Sequence, residues 1–196
     1  MKLSEYENII INDKLFLKAK IKIIEKMQLH FEEVRKEIQN KITSSNFNFH
    51  KDIDITYGKI FKGENYLQLP YVVLDYPKLF SQDKIFNFRT MFWWGNFFSS
   101  TLHLDGIFLD KYYPFILNNY NKFQKRKVFF SISDSPWDYH FSRSNYILFN
   151  NNNLVKFTKR DFVKISCKFE LNKYDELPNL VSEYFSFLLS VLSNEM

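Results

Sequence analysis

Between Phe86 and Asp105 the chain places large apolar groups at both even and odd positions, and this run constrains the fold more than any other. Its period of two marks extended backbone, because successive side chains of a strand point to opposite faces. With Gly95-Asn96 as a two-residue hairpin turn, Phe86 lies opposite Asp105 and Trp94 opposite Phe97. One face then holds Phe86, Phe88, Thr90, Phe92 and Trp94 with Phe97, Ser99, Thr101, His103 and Asp105. The other holds Asn87, Arg89, Met91 and Trp93 with Phe98, Ser100, Leu102 and Leu104. Neither face suits water, so the hairpin sits between two layers or lines a cavity on one side.

The flanking sequence supplies those layers. Over residues 14–43, Phe16, Ile23, Met27, Phe31, Val34, Ile38 and Ile42 recur at three- and four-residue steps behind Asp13, a suitable N-cap. That spacing predicts one long amphipathic helix. After Ser44-Ser45-Asn46 the period becomes two, and strands are expected near 57–62, 66–75, 85–94 and 97–105. Lys62-Gly63-Glu64-Asn65 divides the first pair, and Pro70 demotes the second strand to an edge or a bulge. A second helix over 110–124 has Asp110 as its cap, Pro114 in its first turn and Lys125-Arg126-Lys127 at its C-terminus. Strands follow at 128–133, 145–149, 154–158 and 162–171, with a turn in the Asn150–Asn153 run. In the last strand Val163, Ile165, Cys167, Phe169 and Leu171 face one way, and Lys164, Ser166, Lys168 and Glu170 the other. A helix over 175–194, capped by Asp175, closes the chain. The order α-β4-α-β4-α predicts an α+β fold, about eight antiparallel strands packed by three helices, in a single domain over 1–196.

Composition removes some functions. Only 4 glycines are present, and neither a GxGxxG nor a GxxxxGK[ST] pattern occurs, which disfavours the common nucleotide-binding loops. The lone Cys167 cannot form an intramolecular disulfide. With no signal-peptide pattern and no apolar run of spanning length, this leads to the expectation of a cytoplasmic protein without membrane insertion. A net charge of +5 is thin support for nucleic-acid binding, and Lys156-Phe157-Thr158-Lys159-Arg160 and Lys164 to Lys168 give only a modest basic and aromatic pattern.

Two segments could carry function. The hairpin offers Arg89, Trp94, Thr101, His103 and Asp105 as the polar and aromatic lining of a pocket. His103 and Asp105, two residues apart on a strand, also raise the question of a two-His, one-carboxylate iron site with His140, but no other feature of such a site accompanies them. The stretch from Ser133 to Ser144 is longer than a hairpin connection needs and gathers Trp137, His140 and Arg143. His50, Asp52 and Asp54 read as the wet face of an edge strand. The residues therefore suggest a module binding a small apolar or aromatic ligand, and leave any cofactor unknown. The alternatives are a His/Asp/Arg acid–base or metal enzyme and a protein-interaction domain.

Overall fold

The computed structural model describes residues 2–158 and 160–193, so Lys159 in the basic stretch and the end of the predicted last helix at Asn194 lie outside the described residues. Helices α1 (Glu5–Asn12) and α2 (Lys14–Ser44) come first. Strands β1 (Lys59–Tyr66), β2 (Leu69–Phe80), β3 (Ile85–Trp93) and β4 (Phe97–Asp105) form a meander. Helices α3 (Ile107–Asn118) and α4 (Tyr120–Gln124) follow, then β5 (Phe129–Ser131), β6 (Tyr146–Leu148), β7 (Phe162–Phe169) and α5 (Leu177–Leu192). The result is an α+β fold on one antiparallel sheet of seven strands, ordered β1-β2-β3-β4-β7-β5-β6. None of the described helices is long and apolar enough to cross a membrane.

The sheet positions everything else. Asp13 starts α2 by accepting the Leu15 and Phe16 amides, and Ile24, Phe31, Val34 and Ile38 form its buried stripe. This stripe and Val181, Phe185 and Leu188 of α5 cover one sheet face, meeting Val72, Leu74, Phe86, Phe88, Leu102 and Ile165. The other face is covered by the segment linking β5 to β6, a strap over residues 132–145, together with the curled β1–β2 end. There Val73, Met91, Trp93, Phe97 and Tyr139 make a second, smaller apolar cluster. All but the last residue of β4 is buried, as a strand covered on both faces requires.

Several local expectations change. The β3–β4 turn has three residues, Trp94-Gly95-Asn96, so Trp93 pairs with Phe97 and Asn87 with His103. A one-residue slip exchanges every cross-strand partner. Phe86, Phe88, Thr90 and Phe92 thus share the helix face with Phe98, Ser100, Leu102 and Leu104. Arg89, Thr101, His103 and Asp105 share the strap face. The β1–β2 turn falls at Leu67-Gln68, both with positive φ, rather than at Lys62–Asn65. Gly63 instead clears room for the Tyr71 ring, which an added Cβ would meet at 2.4 Å. Pro70 lies in an internal strand, beside a register irregularity between Gly63 and Tyr66.

The expected strand at 154–158 is a 3₁₀ segment, Asn151–Lys156, because the Asn150 side chain caps the Asn153 amide. Sheet strands therefore number seven among the described residues. The expected second helix begins at Gly106, so Pro114 is interior, and the helix breaks into α3 and α4 at Asn119. Glu176 rather than Asp175 is the N-cap residue of α5.

Two positive-φ glycines separate by what surrounds them. Gly95 (φ 70°) has open space where a Cβ would lie, whereas at Gly106 (φ 57°) a Cβ would sit 2.1 Å from the Asp83 carbonyl oxygen. Gly95→Ala should cost only the backbone term, about 1–2 kcal/mol. Gly106→Ala is expected to cost clearly more, because a backbone carbonyl must also move. Urea denaturation of the two variants checks the order.

Candidate functional site

Beneath the strap, the middle of the sheet carries polar side chains in place of rings. Asp75 of β2 accepts both arms of Arg89, Nε at 2.7 Å and Nη2 at 2.8 Å, and also Asn87 Nδ2 at 2.9 Å. The Arg89 guanidinium lies 4.5 Å from the centre of the Tyr139 ring. One row across the sheet runs Asn87, His103, Lys164 from β3 through β4 to β7, and all three are fully buried. The Thr101 and Ser166 hydroxyls in the next row are 2.7 Å apart. Asn87 Oδ1, Ser99 Oγ and His103 Nε2 make no hydrogen bond although buried. Such orphans carry a desolvation cost of about 1–3 kcal/mol each.

The strap is tied down at identifiable points. The Tyr66 hydroxyl accepts the Tyr139 and His140 amides and lies 3.1 Å from His140 Nδ1. Arg160 donates to the Ile132 and Ser133 carbonyls and pairs with Asp134. Asn145 Nδ2 donates to the Asp138 and His140 carbonyls, and Lys164 Nζ also donates to the Asp138 carbonyl. These bonds hold the Tyr139 ring inside, its hydroxyl 3.4 Å from His103 Nδ1.

This layer shifts its own titrating groups. Desolvation, with the Lys164 and Arg89 charges behind it, pushes the His103 imidazole down to about 3, so it is neutral at physiological pH. Desolvation also brings the Lys164 ammonium down to about 7, partly opposed by the Asp138 carboxylate and aided by Arg89. Burial pushes the Tyr139 hydroxyl up to about 12. Among the described residues, no carboxylate lies within ion-pair distance of Lys164. Its ammonium is 4.7 Å from the centre of the Tyr139 ring and 5.4 Å from that of Tyr146.

The predicted residues divide between the two faces. Arg89, Thr101 and His103 lie in the polar layer, and Trp137 meets His103 edge to face at 6.1 Å while staying more than half exposed. His140 adjoins the layer through Tyr66. Asp105 is only partly buried at the strand end, its carboxyl raised by desolvation, and Arg143 is exposed on the strap. Trp94 lies on the helix face. There Phe92, Trp94 and Phe98 at the hairpin tip, Ile23 and Met27 of α2, and Leu171 and Tyr174 after β7 line a cleft of about 340 Å³. It continues past Ile23, Met27 and Tyr174 into a trough of about 640 Å³ bordered by Lys26, His30, Glu33 and Asp175.

Asp75, Lys164, Tyr66 and Tyr139 were not singled out in the sequence. Asp75 left a signal, one acid inside the apolar run Tyr71–Tyr76. Of the expected edge-strand set, only Asp54 is extended, in an isolated antiparallel bridge to Lys78, and its carboxylate accepts the Thr56, Tyr57 and Gly58 amides. Asp52 lies in a turn and pairs with Lys84, and His50 precedes it in irregular backbone. Among the described residues no three His, Cys, Asp or Glu side chains are grouped to hold a metal ion. Comparison with protein-family models, curated proteins and solved structures finds no match.

The two shifted bases act on stability in separate pH windows. Lys164 in the fold binds fewer protons than the unfolded chain between about 7 and its ordinary value of 10.5, so stability rises with pH there. The rise should amount to about 2 kcal/mol from pH 7 to 9. Above that, unfolded tyrosines and Cys167, whose thiol burial pushes up to about 12, begin to oppose it. His103 contributes stability that is lost as pH falls from 6.5 towards 3. Chemical denaturation across pH should show Lys164→Met without the alkaline rise and His103→Gln with a shallower acid limb. Unchanged profiles would contradict both assignments.

Proposed function

We propose that this protein binds a small apolar or aromatic ligand in the cleft beside Trp94. The observation that carries this reading is the lining. Seven apolar or aromatic side chains from α2, the β3–β4 hairpin and the β7–α5 connection converge on an open space of about 340 Å³. Cavities of that size with mainly apolar walls suit a ligand of one or two rings. Trp94 meets Phe92 edge to face at 6.0 Å and leaves part of its ring uncovered, so a ligand ring has an aromatic surface to pack on. The polar trough past Tyr174 would take the ligand's hydrophilic end. Arg89, Thr101 and His103 are separated from this cleft by the sheet and take no part in it.

Titration with N-phenyl-1-naphthylamine, a neutral aromatic probe, should raise the probe's fluorescence and quench tryptophan emission saturably. Trp94→Ala should abolish that binding while costing about 1–2 kcal/mol, since one side of the ring is already open. Phe98→Ala, at a residue 1% exposed, should cost about 3–5 kcal/mol. A Trp94→Ala loss in the same upper range, with no probe bound by the parent, would defeat the reading.

A second reading is favoured by Lys164, a fully buried amine with no carboxylate partner among the described residues, beside a neutral histidine and two tyrosines. In it the polar layer is a reaction centre reached when the strap lifts. The Lys164 nitrogen would bond an aldehyde carbon, water would leave, and the resulting imine would be open to reduction. At pH 7 cyanoborohydride with a small aldehyde should then alkylate Lys164 ahead of exposed lysines, as read by peptide mass spectrometry. Labelling confined to surface lysines would rule this out.

A further inference from the structure

The N-terminal helices expose more apolar surface than any of the described residues covers. No residue of α1 is buried, and the first buried residue of α2 is Ile24, three turns into the helix. Tyr6, Ile9 and Ile11 of α1 and Leu15, Leu17 and Ile21 of α2 are each between 54% and 77% exposed. Each leaves on the order of 100 Å² in water, so together they approach the ~800 Å² that one partner contributes to a standard interface. Apolar patches of this extent mark contact surfaces.

Two features of the segment say what kind of surface covers it. At 100° per residue Leu15 points nearly opposite Leu17 and well away from Ile21, so no flat surface can cover all three at once. A helix apolar on several sides belongs among other helices. The charges are also divided along the segment. α1 carries Glu5 and Glu7 and no Lys or Arg, whereas α2 presents Lys14, Lys18 and Lys22 on one line and has no acid before Glu25. A two-fold arrangement sets the acidic helix of one copy against the lysine line of the other, and an isologous contact satisfies both at once.

We infer that residues 3–22 form a homodimer interface, with α1 and the first turns of α2 packing against the same helices of a second copy. The inference is independent of the Trp94 cleft. Sedimentation velocity of the full chain should show a concentration-dependent dimer. Ile9→Asp with Leu15→Asp should leave the circular dichroism spectrum unchanged, because both side chains are exposed, and yield monomers. Glu5→Lys with Glu7→Lys should weaken association about tenfold or more, and adding Lys18→Glu with Lys22→Glu should restore it. A monomer at every concentration would overturn the inference, as would a dimer indifferent to these changes. So would a monomeric chain that instead binds phosphatidylserine vesicles through the lysine line.

Discussion

The structure depends on strands that give neither face to water. β4 pairs along its whole length with β3 on one side and from Phe98 to Asp105 with β7 on the other, and such a strand is stable only when both faces are covered. The helix face is closed by apolar packing between α2, α5 and the rings of β3 and β4, the term that dominates folding energetics. The strap face has no helix. A chain segment of fourteen residues must cover it, and a segment without regular structure brings unpaired amides and carbonyls. The polar side chains of the central strands answer that need, and so the two layers of one sheet differ in chemistry.

The bonds follow from this. Tyr66 reaches from the end of β1 and takes two strap amides with one hydroxyl oxygen. Lys164 donates to a strap carbonyl from beneath, and Asn145, at the strap's own end, donates to the Asp138 and His140 carbonyls along it. Arg89 spends both arms on Asp75 and offers its flat face to Tyr139, a use of guanidinium that lysine could not copy. Lys164 pays for its place: buried with no carboxylate of the described residues in ion-pair reach, it loses much of its basicity instead. Replacing such a charge with an apolar group can be neutral or stabilising. The placement of this amine is therefore poor for stability.

Much of this architecture could be read in the sequence, and its failures have local causes. The long helix and its Asp13 cap follow from the sequence period, whereas only Phe31, Val34 and Ile38 of the expected stripe are buried. Phe16 is exposed where the helix runs beyond the sheet, and Ile24 and His30 turn inward. The apolar character of the hairpin on both faces correctly required two covering layers. The hairpin's register did not follow, because Gly95-Asn96 is a favourable turn pair and nothing local shows that Trp94 joins the loop. That one residue moved His103 and Asp105 to the opposite face from Trp94. Lys164 failed for a related reason: in a strand alternating Val163, Lys164, Ile165, Ser166, the polar parity reads as solvent-facing. Only pairing with His103 reveals that it is indoors. Gly63 and the Asn150–Asn153 run carry turn chemistry used for other ends, a docked ring and a 3₁₀ cap.

The corrected register makes the two candidate regions independent. The Trp94 cleft is built where α2 passes the hairpin tip, by three elements distant in sequence, and none of its walls belongs to the strap. The polar layer is on the far side of β3 and β4, closed by a strap that contributes nothing to the cleft. Substitutions in regions that share no partner add in their effects on stability. Ligand binding at Trp94 can therefore leave the titration of His103 and Lys164 unmoved unless the sheet itself shifts. Coupling between them would have to pass through the paired backbone of β3 and β4, where alternate side chains of one strand face the two sites. Phe92 and Met91, adjacent in sequence and on opposite faces, are where such coupling would be felt first.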